Sequence, residues 1–234
     1  MTTVSIIGKG NMGGAIASIV TAAGVTPQIV DQGQDDVAVT GDIVVLAVPY
    51  GALEHIVAAR GEQLAGKIVV DITNPVNFET FDSLVVPSHS SAAAELAEKL
   101  PTAKVVKGFN TNFAGTLAAG SLGDLATTVL IAGDDAEAKK TLADVVAAGG
   151  LKVIDAGPLS RARELEAVGF LQTRWPRPRR SPGWAGSASS PDLPALRQER
   201  ERPPSSRTGA VAHSRCSATS TPALARSAVV ASGR

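Results

Sequence analysis

Short Val/Ile-rich runs alternate with Ala-rich stretches along residues 1–172, and this alternation limits the fold more than any other feature. The runs have strand length and few polar residues, which favours strands buried on both faces of a parallel sheet. The expected strands are residues 4–8, 27–31, 42–49, 67–72, 103–109, 127–133 and 151–157. Stretches in which apolar residues recur at helical spacing are residues 11–24, 51–64, 90–100, 135–150 and 160–172. The pattern predicts an α/β fold with a doubly wound, mostly parallel sheet and right-handed crossovers.

The composition changes abruptly after Gln172. Residues 1–172 carry 11 Lys/Arg against 19 Asp/Glu, a net charge of −8, whereas residues 173–234 carry 11 Arg against three acids, a net charge of +8. This tail holds eight Pro and eleven Ser without helical or strand periodicity, which is typical of disorder. We therefore expect a dinucleotide-binding domain over residues 1–120, the start of a smaller, incomplete C-terminal α/β part over 121–172, and a disordered tail over 173–234.

Several classes of protein are disfavoured by simple counts. The single cysteine, Cys216, excludes an internal disulfide or a cysteine-built metal site and fits a reducing compartment. The longest apolar stretch, residues 43–53, is far shorter than the roughly 20 residues that a membrane-spanning helix needs. No signal peptide is expected before the first strand, so we predict a cytoplasmic protein without membrane contact. The basic tail lacks Lys and patterned aromatic residues, so we do not expect nucleic-acid binding.

A glycine-rich turn follows the first predicted strand. Gly8, Gly10 and Gly13 form the pattern G-x-G-x-x-G at the start of the first helix, and an acidic residue, Asp31, ends the second strand 18 residues later. This context predicts a Rossmann-type dinucleotide site, in which the first glycine makes the turn, the second admits the pyrophosphate and the third lets helix and strand pack closely. The intervening residues Lys9, Asn11 and Met12 complete the expected cofactor-binding loop. The alternative is a glycine-rich turn without a ligand.

Asp31 bears on which dinucleotide binds. A carboxylate at this position accepts hydrogen bonds from the ribose hydroxyls of NAD and repels the 2′-phosphate of NADP. The loop after Asp31, with the sequence QGQDD, offers no Lys or Arg to that phosphate. The alternative is that Asp31 is an ordinary turn residue in an acidic loop.

Further motifs follow in order along the body of the chain: GKGNMGGAIA, VVLAVPY, VVDITNPVN, KVVKGFNT and GLKVIDAGPLSRARELE. Together they resemble the NADPH-dependent reductases of the deazaflavin coenzyme F420, and also the cytoplasmic reductase domain of the six-transmembrane ferric reductases. The resemblance covers residues 4–172. It implies an oxidoreductase that transfers a hydride between NADP(H) and a second cofactor or substrate, coenzyme F420, with NAD kept open because of Asp31.

The resemblance also assigns residues that follow three successive strands. In an open α/β sheet, ligands lie beyond the carboxyl ends of the strands. By resemblance, the adenosine and ribose are flanked by Val48, Pro49 and Tyr50. The nicotinamide ribose is bordered by Asn74, Pro75 and Val76. The nicotinamide ring or the second substrate is approached by Asn110 and Thr111. The alternatives are a rigid turn at NPVN and a purely structural amide at Asn110.

No side chain of the body is assigned a catalytic or metal-binding role. His55 falls in a predicted helix and His89 in a Ser-rich loop, and neither lies in an acid–base setting. Hydride transfer between two bound cofactors needs positioning and a dry cleft more than acid–base side chains. The alternative function is a dinucleotide-binding module without turnover, either a sensor or an inactivated chain. A homodimer is left open.

Two departures from the family concern the second strand and the tail. Family members that use NADP carry hydroxyl and basic residues where this chain has Asp31-Gln32-Gly33, and the segment between Asp31 and Asp42 is too short for a helix with loops. Residues 173–190 can be back-translated so that the same bases, read from the third position, encode ALAAAEKIAWVGGFGIV, which resembles the closing segment of the family. We therefore interpret the tail as the product of a reading-frame change just after Gln172. The alternative is a genuine disordered basic extension.

Overall fold

All seven predicted strands form, and they lie side by side in one sheet of order β2-β1-β3-β4-β5-β8-β9. The computed structural model describes residues 2–31 and 33–174. The sheet strands are β1 Val4–Ile7, β2 Gln28–Val30, β3 Ile43–Leu46, β4 Ile68–Asp71, β5 Lys104–Gly108, β8 Thr128–Gly133 and β9 Lys152–Asp155. Two further strands, β6 Ser121–Leu122 and β7 Leu125–Ala126, pair as a small hairpin.

The sheet is parallel at every pairing except one. β1 pairs with β2 and β3, and β3, β4 and β5 continue in parallel, as do β8 and β9. β5 and β8 are antiparallel, with Val106 opposite Gly133. The doubly wound, mostly parallel Rossmann-type sheet that the sequence predicts is therefore confirmed. β8 and β9 extend this same sheet, and the predicted domain boundary at residue 120 stays a prediction.

Six α-helices occur in the described part of the chain. They are α1 Asn11–Ala22, α2 Leu53–Leu64, α3 Ala92–Lys99, α4 Ala114–Ala119, α5 Ala136–Ala148 and α6 Ala162–Arg174. The sequence pattern predicted five of them. It missed α4 and the β6–β7 hairpin, because six residues and two residues are too short to show a hydrophobic period.

Apolar side chains fill both faces of the sheet, as expected for strands without a polar face. On one face, α1 and α5 cover a cluster that includes Ile6, Val45 and Val70. On the other face, α2 and α3 cover a cluster that includes Val44, Leu46 and Val69. Successive residues of one strand thus serve opposite cores, which explains why these strands read as continuous apolar runs.

The connection from β2 to β3 runs without a helix in its described residues, as its length predicted. It is held by Arg60 of α2, whose side chain is 2% exposed. The Arg60 guanidinium donates to the carbonyl of Val37 at 2.6 Å and to that of Gln34. A buried arginine therefore fixes the loop that follows Asp31.

α6 continues through Thr173 and Arg174, two residues beyond the junction seen in the sequence. The interpretation of the tail as disordered and out of frame otherwise falls on residues 175–234, which lie outside the described residues. No helix among the described residues is both long enough and apolar enough to cross a membrane.

Candidate active site at the carboxyl edge of the sheet

The parallel register aligns the carboxyl ends of four neighbouring strands. Ile7 lies opposite Leu46, Leu46 opposite Asp71, and Asp71 opposite Lys107. The loops that follow these strands therefore leave the sheet at one edge. Because the chain passes from β1 to β2 on one side and returns to β3 on the other, the crevice between β1 and β3 is the topological switch point.

The glycines of the first loop have distinct geometric reasons to be glycine. Gly8 has φ +106°, and a Cβ there would lie 2.3 Å from the carbonyl oxygen of Ala47. A Cβ on Gly13 would lie 2.0 Å from the carbonyl oxygen of Gly8. A Cβ on Gly10 would meet nothing within 4 Å. Gly8 and Gly13 are thus required by the fold itself, whereas Gly10 borders open space.

The start of α1 lies next to that open space. Gly10 is the N-cap residue, and no side chain of the described structure caps the helix. Asn11 and Met12 form its first turn, so their backbone N–H groups remain available at a helix N-terminus, where the partial positive charge favours anions. The predicted cofactor-binding loop therefore has the geometry of a phosphate site.

Lys9 and Asp31 are brought together by the backbone. The Gly8 N–H donates to the carbonyl of Val30 at 2.8 Å, which places the turn after β1 beside the end of β2. The Lys9 ammonium forms an ion pair with the Asp31 carboxylate. The sequence grouped both residues with the cofactor but did not predict this contact, since no periodic signal connects residues 22 positions apart.

The residues after β3 form a short 3₁₀ turn, Tyr50–Ala52, that leads into α2. Pro49 precedes it with an extended backbone, and Val48 packs against the cluster of the α2–α3 face. The Tyr50 hydroxyl donates to Glu95 Oε2 of α3 at 2.6 Å. Burial, reinforced by this hydrogen bond, raises the pKa of the Tyr50 phenol. The phenol therefore stays protonated, and its hydroxyl is directed to α3.

Asn74 and Asn110, predicted on separate loops, contact each other directly. Asn74 Nδ2 donates to the carbonyl of Asn110 at 2.8 Å, and Asn110 Nδ2 donates to Asn74 Oδ1 at 2.9 Å and to the carbonyl of Leu165 at 2.9 Å. Pro75 and Val76 are buried, and the Val76 N–H bonds the carbonyl of Asn74 at 2.8 Å across Pro75. The two predicted loops are thus joined to each other and to α6.

The backbone around Asn110 is bent sharply. Phe109 has φ +60° although it is buried and bulky, and the Asn110 N–H bonds the carbonyl of Gly108 at 2.8 Å. A non-glycine residue in this conformation costs of order 1–3 kcal/mol and is concentrated at functional sites. The bend buries Asn110 and leaves Thr111 half-buried at the edge of the sheet.

A buried charge cluster, consisting of Lys107, Asp71 and Glu166, lies below these loops. Lys107 Nζ lies 2.8 Å from Asp71 Oδ2 and 2.7 Å from Glu166 Oε1, and all three side chains have 0% exposure. Lys107 also donates to the carbonyl of Thr73 at 2.6 Å, and Glu166 Oε2 accepts from the Ala92 N–H at the start of α3. Burial raises the pKa of the Glu166 carboxyl, while Lys107 and the Ala92 N–H act in the opposite direction.

This cluster was not predicted from the sequence, although the sequence of the two strands contains a signal for it. Lys107 and Asp71 each interrupt a run of Val residues in a strand that is otherwise apolar, and a charge in such a strand must find a partner. Glu166 carried no such signal, because a Glu on a helix is usually exposed. His55 and His89, by contrast, are exposed, and His55 lies 3.2 Å from Asp35.

Unsatisfied polar atoms gather at the same edge. Three buried side-chain atoms in the described structure have no hydrogen-bond partner: Thr73 Oγ1, Asn110 Oδ1 and Asn112 Oδ1. Buried polar groups are normally paired, and an unpaired one requires an explanation. The Asn110 side-chain nitrogen therefore makes structural hydrogen bonds to Asn74 and Leu165, while its Oδ1 is buried without a partner. Open space at Gly10 and an uncapped helix start fit a dinucleotide that lies along this edge.

Comparison with known proteins agrees with this geometry. A family model described as NADP oxidoreductase coenzyme F420-dependent matches residues 27–75. The F420-dependent NADP reductase of Methanocaldococcus jannaschii is 30% identical over 154 residues, which cover 64% of this chain and 69% of that protein. A solved structure from Arthrobacter sp. FB24, named as an F420-dependent NADP reductase, superimposes with a TM-score of 0.67 at 26% identity, over 74% of this chain and 93% of that one.

A second kind of relative matches a smaller share of its own length. The metalloreductase STEAP3 of Rattus norvegicus is 35% identical over 147 residues, which cover 62% of this chain but only 29% of that protein. The match to the M. jannaschii reductase, in contrast, spans more than two thirds of that relative. On this evidence, the chain belongs to the F420-dependent NADP oxidoreductase family.

Proposed function

We propose that this chain is an NADP(H)-dependent oxidoreductase that binds its dinucleotide over the Gly8–Gly13 turn and along the carboxyl edge of β1, β3, β4 and β5. The observation that carries the proposal is the contrast among the three glycines. A Cβ on Gly8 or Gly13 would collide with backbone atoms, whereas a Cβ on Gly10 would meet no atom within 4 Å. The open position at Gly10 lies beside an uncapped helix start, which is where a Rossmann-type site receives the pyrophosphate.

In this arrangement each loop has one task. Gly10 and the first turn of α1 receive the pyrophosphate, with Lys9 and Asp31 at the adenosine ribose and the residues 48–50 along the adenosine. Asn74, Pro75 and Val76 border the nicotinamide ribose, and Asn110 and Thr111 approach the ring or the second substrate. When bound, NADPH supplies a hydride from its dihydronicotinamide ring and becomes NADP⁺, while the acceptor takes that hydride and one proton from solvent.

The protein contributes position rather than acid–base chemistry. The reciprocal hydrogen bonds of Asn74 and Asn110 hold two loops at a fixed separation, and the carbonyl of Leu165 anchors Asn110 to α6. Holding two reactants in a reactive geometry lowers the barrier by removing translational and rotational freedom before the reaction. For the acceptor we propose coenzyme F420, which is supported by the family and by the name of the M. jannaschii relative.

The test has two stages, which separate binding from turnover. NADPH is first titrated into the purified full chain, and oxidised F420 is then added under anaerobic conditions while NADP⁺ and reduced F420 are quantified. Equal amounts of the two products support the proposal. Saturable NADPH binding without transfer to F420 would favour the alternative, a dinucleotide-binding module. A parallel reaction with a ferric chelate tests the acceptor suggested by the metalloreductase relative.

A further inference from the structure

The ion pair between Lys9 and Asp31 lies where NADP and NAD differ. Asp31 directly follows Val30, the last residue of β2, at the position from which an acidic residue reaches the adenine ribose of NAD. A carboxylate at this position without a neighbouring cation would repel the 2′-phosphate of NADP. In this structure the carboxylate is paired with the ammonium of Lys9, whose side chain is 69% exposed. The negative charge is therefore neutralised by a cation that extends from the phosphate-binding turn.

Other basic side chains in this part of the described structure have partners of their own. Arg60 is buried and donates to the carbonyls of Val37 and Gln34. The His55 Nε2 lies 3.2 Å from Asp35 Oδ2. Residues 32–41 contain no Lys or Arg in the sequence. Lys9 is thus the cation that a phosphate on the adenine ribose would meet beside Asp31.

The pair is also easy to rearrange. Ion pairs at the surface contribute little to stability, because water screens both charges and long side chains lose freedom. A phosphate group carries more negative charge than a carboxylate and is a stronger acceptor. Lys9 can therefore turn its ammonium from Asp31 to an arriving phosphate at little cost, while it still lies close enough to offset the carboxylate.

We infer that Lys9 is the specificity-determining residue of this site, and that it selects NADPH over NADH by contacting the 2′-phosphate directly while it neutralises Asp31. The inference rests on the proposed function, since it concerns the same dinucleotide site. It resolves the conflict in the sequence, where Asp31 favours NAD and the family favours NADP. The selectivity comes from the loop between Gly8 and Gly10 rather than from the residues after β2.

The experiment measures equilibrium dissociation constants of NADPH and NADH by titration calorimetry, without any acceptor. Four proteins are compared: wild type, Lys9→Met, Asp31→Asn and the double variant. Lys140→Met serves as the control, because Lys140 is an equally exposed lysine that pairs with Asp144 within α5. We expect Lys9→Met to raise the Kd of NADPH about tenfold or more, or about 1.4 kcal/mol, and to change that of NADH less than about threefold. Asp31→Asn should tighten NADPH and weaken NADH.

The double variant distinguishes direct contact from simple screening. If Lys9 contacts the phosphate, Lys9→Met still weakens NADPH binding at least fivefold in the Asp31→Asn background, and the salt dependence of NADPH binding decreases when Lys9 is absent. If the penalty disappears in that background, or if NADPH and NADH weaken equally, the inference is overturned. A tenfold preference of the wild type for NADH overturns it as well. Failure of the wild type to bind either dinucleotide would instead refute the proposed function.

Discussion

Lys107 and Glu166 are 59 residues apart in the sequence and form a fully buried ion pair, with 2.7 Å between Nζ and Oε1. Lys107 lies in the buried part of β5 and Glu166 lies on α6, so the pair fastens the last described helix to the carboxyl edge of the sheet. Asp71 of β4 and the N-terminus of α3 complete the contact. The buried charge cluster therefore supports the loops that carry Asn74 and Asn110.

Removal of one charge from this cluster should destabilise the fold strongly. Lys107→Met leaves two buried carboxylates without their cation, and breaking a buried pair in this way costs about 3–5 kcal/mol. Lys104→Met on the same strand is the matched control, because Lys104 is 44% exposed and pairs with Asp135 at 3.1 Å. The control should lose about 0–1 kcal/mol. Urea denaturation of both variants measures the difference, and equal losses would show that the cluster is not a stabilising contact.

The raised pKa of Glu166 predicts a pH dependence of a definite sign. A carboxyl whose pKa is higher in the folded than in the unfolded state holds its proton more tightly when folded. Its contribution to stability is complete below its ordinary pKa of 4.5 and declines as the pH rises through the folded-state pKa. Glu166→Gln cannot ionise, so the stability of the wild type relative to this variant should fall as the pH rises above 4.5.

The acids with lowered pKa, Asp42, Asp135 and Asp155, are present in both proteins and cancel in this comparison. Denaturation midpoints measured across that pH range provide the test. A stability difference that stays constant or grows with rising pH would contradict the assignment.

The glycines of the first turn should respond to the same substitution in opposite ways. Gly13→Val forces a Cβ to within 2.0 Å of the Gly8 carbonyl oxygen and should prevent folding or reduce stability severely. Gly10→Val has open space around its Cβ and a φ of −63°, so the protein should fold with nearly unchanged stability. Circular dichroism during thermal unfolding compares the two. If both variants fold equally well, the crowding at Gly13 is not real.

Gly169 of α6 should resist replacement by alanine, although alanine normally stabilises a helix interior by up to about 1 kcal/mol. A Cβ at this position would lie 2.4 Å from Oδ1 of Asn74. Gly169→Ala should therefore displace the Asn74 amide, lower stability and weaken binding of the nicotinamide half of the cofactor. Gly61→Ala in α2 is the control, because its Cβ would make an ordinary contact of 3.6 Å with Leu100. A Gly169→Ala protein as stable and active as the Gly61→Ala protein would contradict the packing described.

The parts of this protein that follow a local period could be predicted from its sequence. The buried strands and the glycine turn each have a pattern that physical constraints enforce over a few neighbouring residues, and the structure has them where the pattern indicated. Contacts between distant residues had no such pattern. The pairs Lys9–Asp31, Lys107–Glu166 and Asn74–Asn110 depend on which strands become neighbours and on their register, and that information appears only when the sheet is assembled.

One binding measurement tests the assignment of the dinucleotide site most directly. NADPH is titrated calorimetrically into the full wild-type chain and into Gly10→Val, after thermal unfolding has shown that both are folded. We predict saturable binding of one NADPH per chain to the wild type and none to Gly10→Val, because the valine side chain occupies the space required by the pyrophosphate. Unchanged affinity in Gly10→Val, or absence of binding to the folded wild type, would contradict the assignment of this turn as the dinucleotide site.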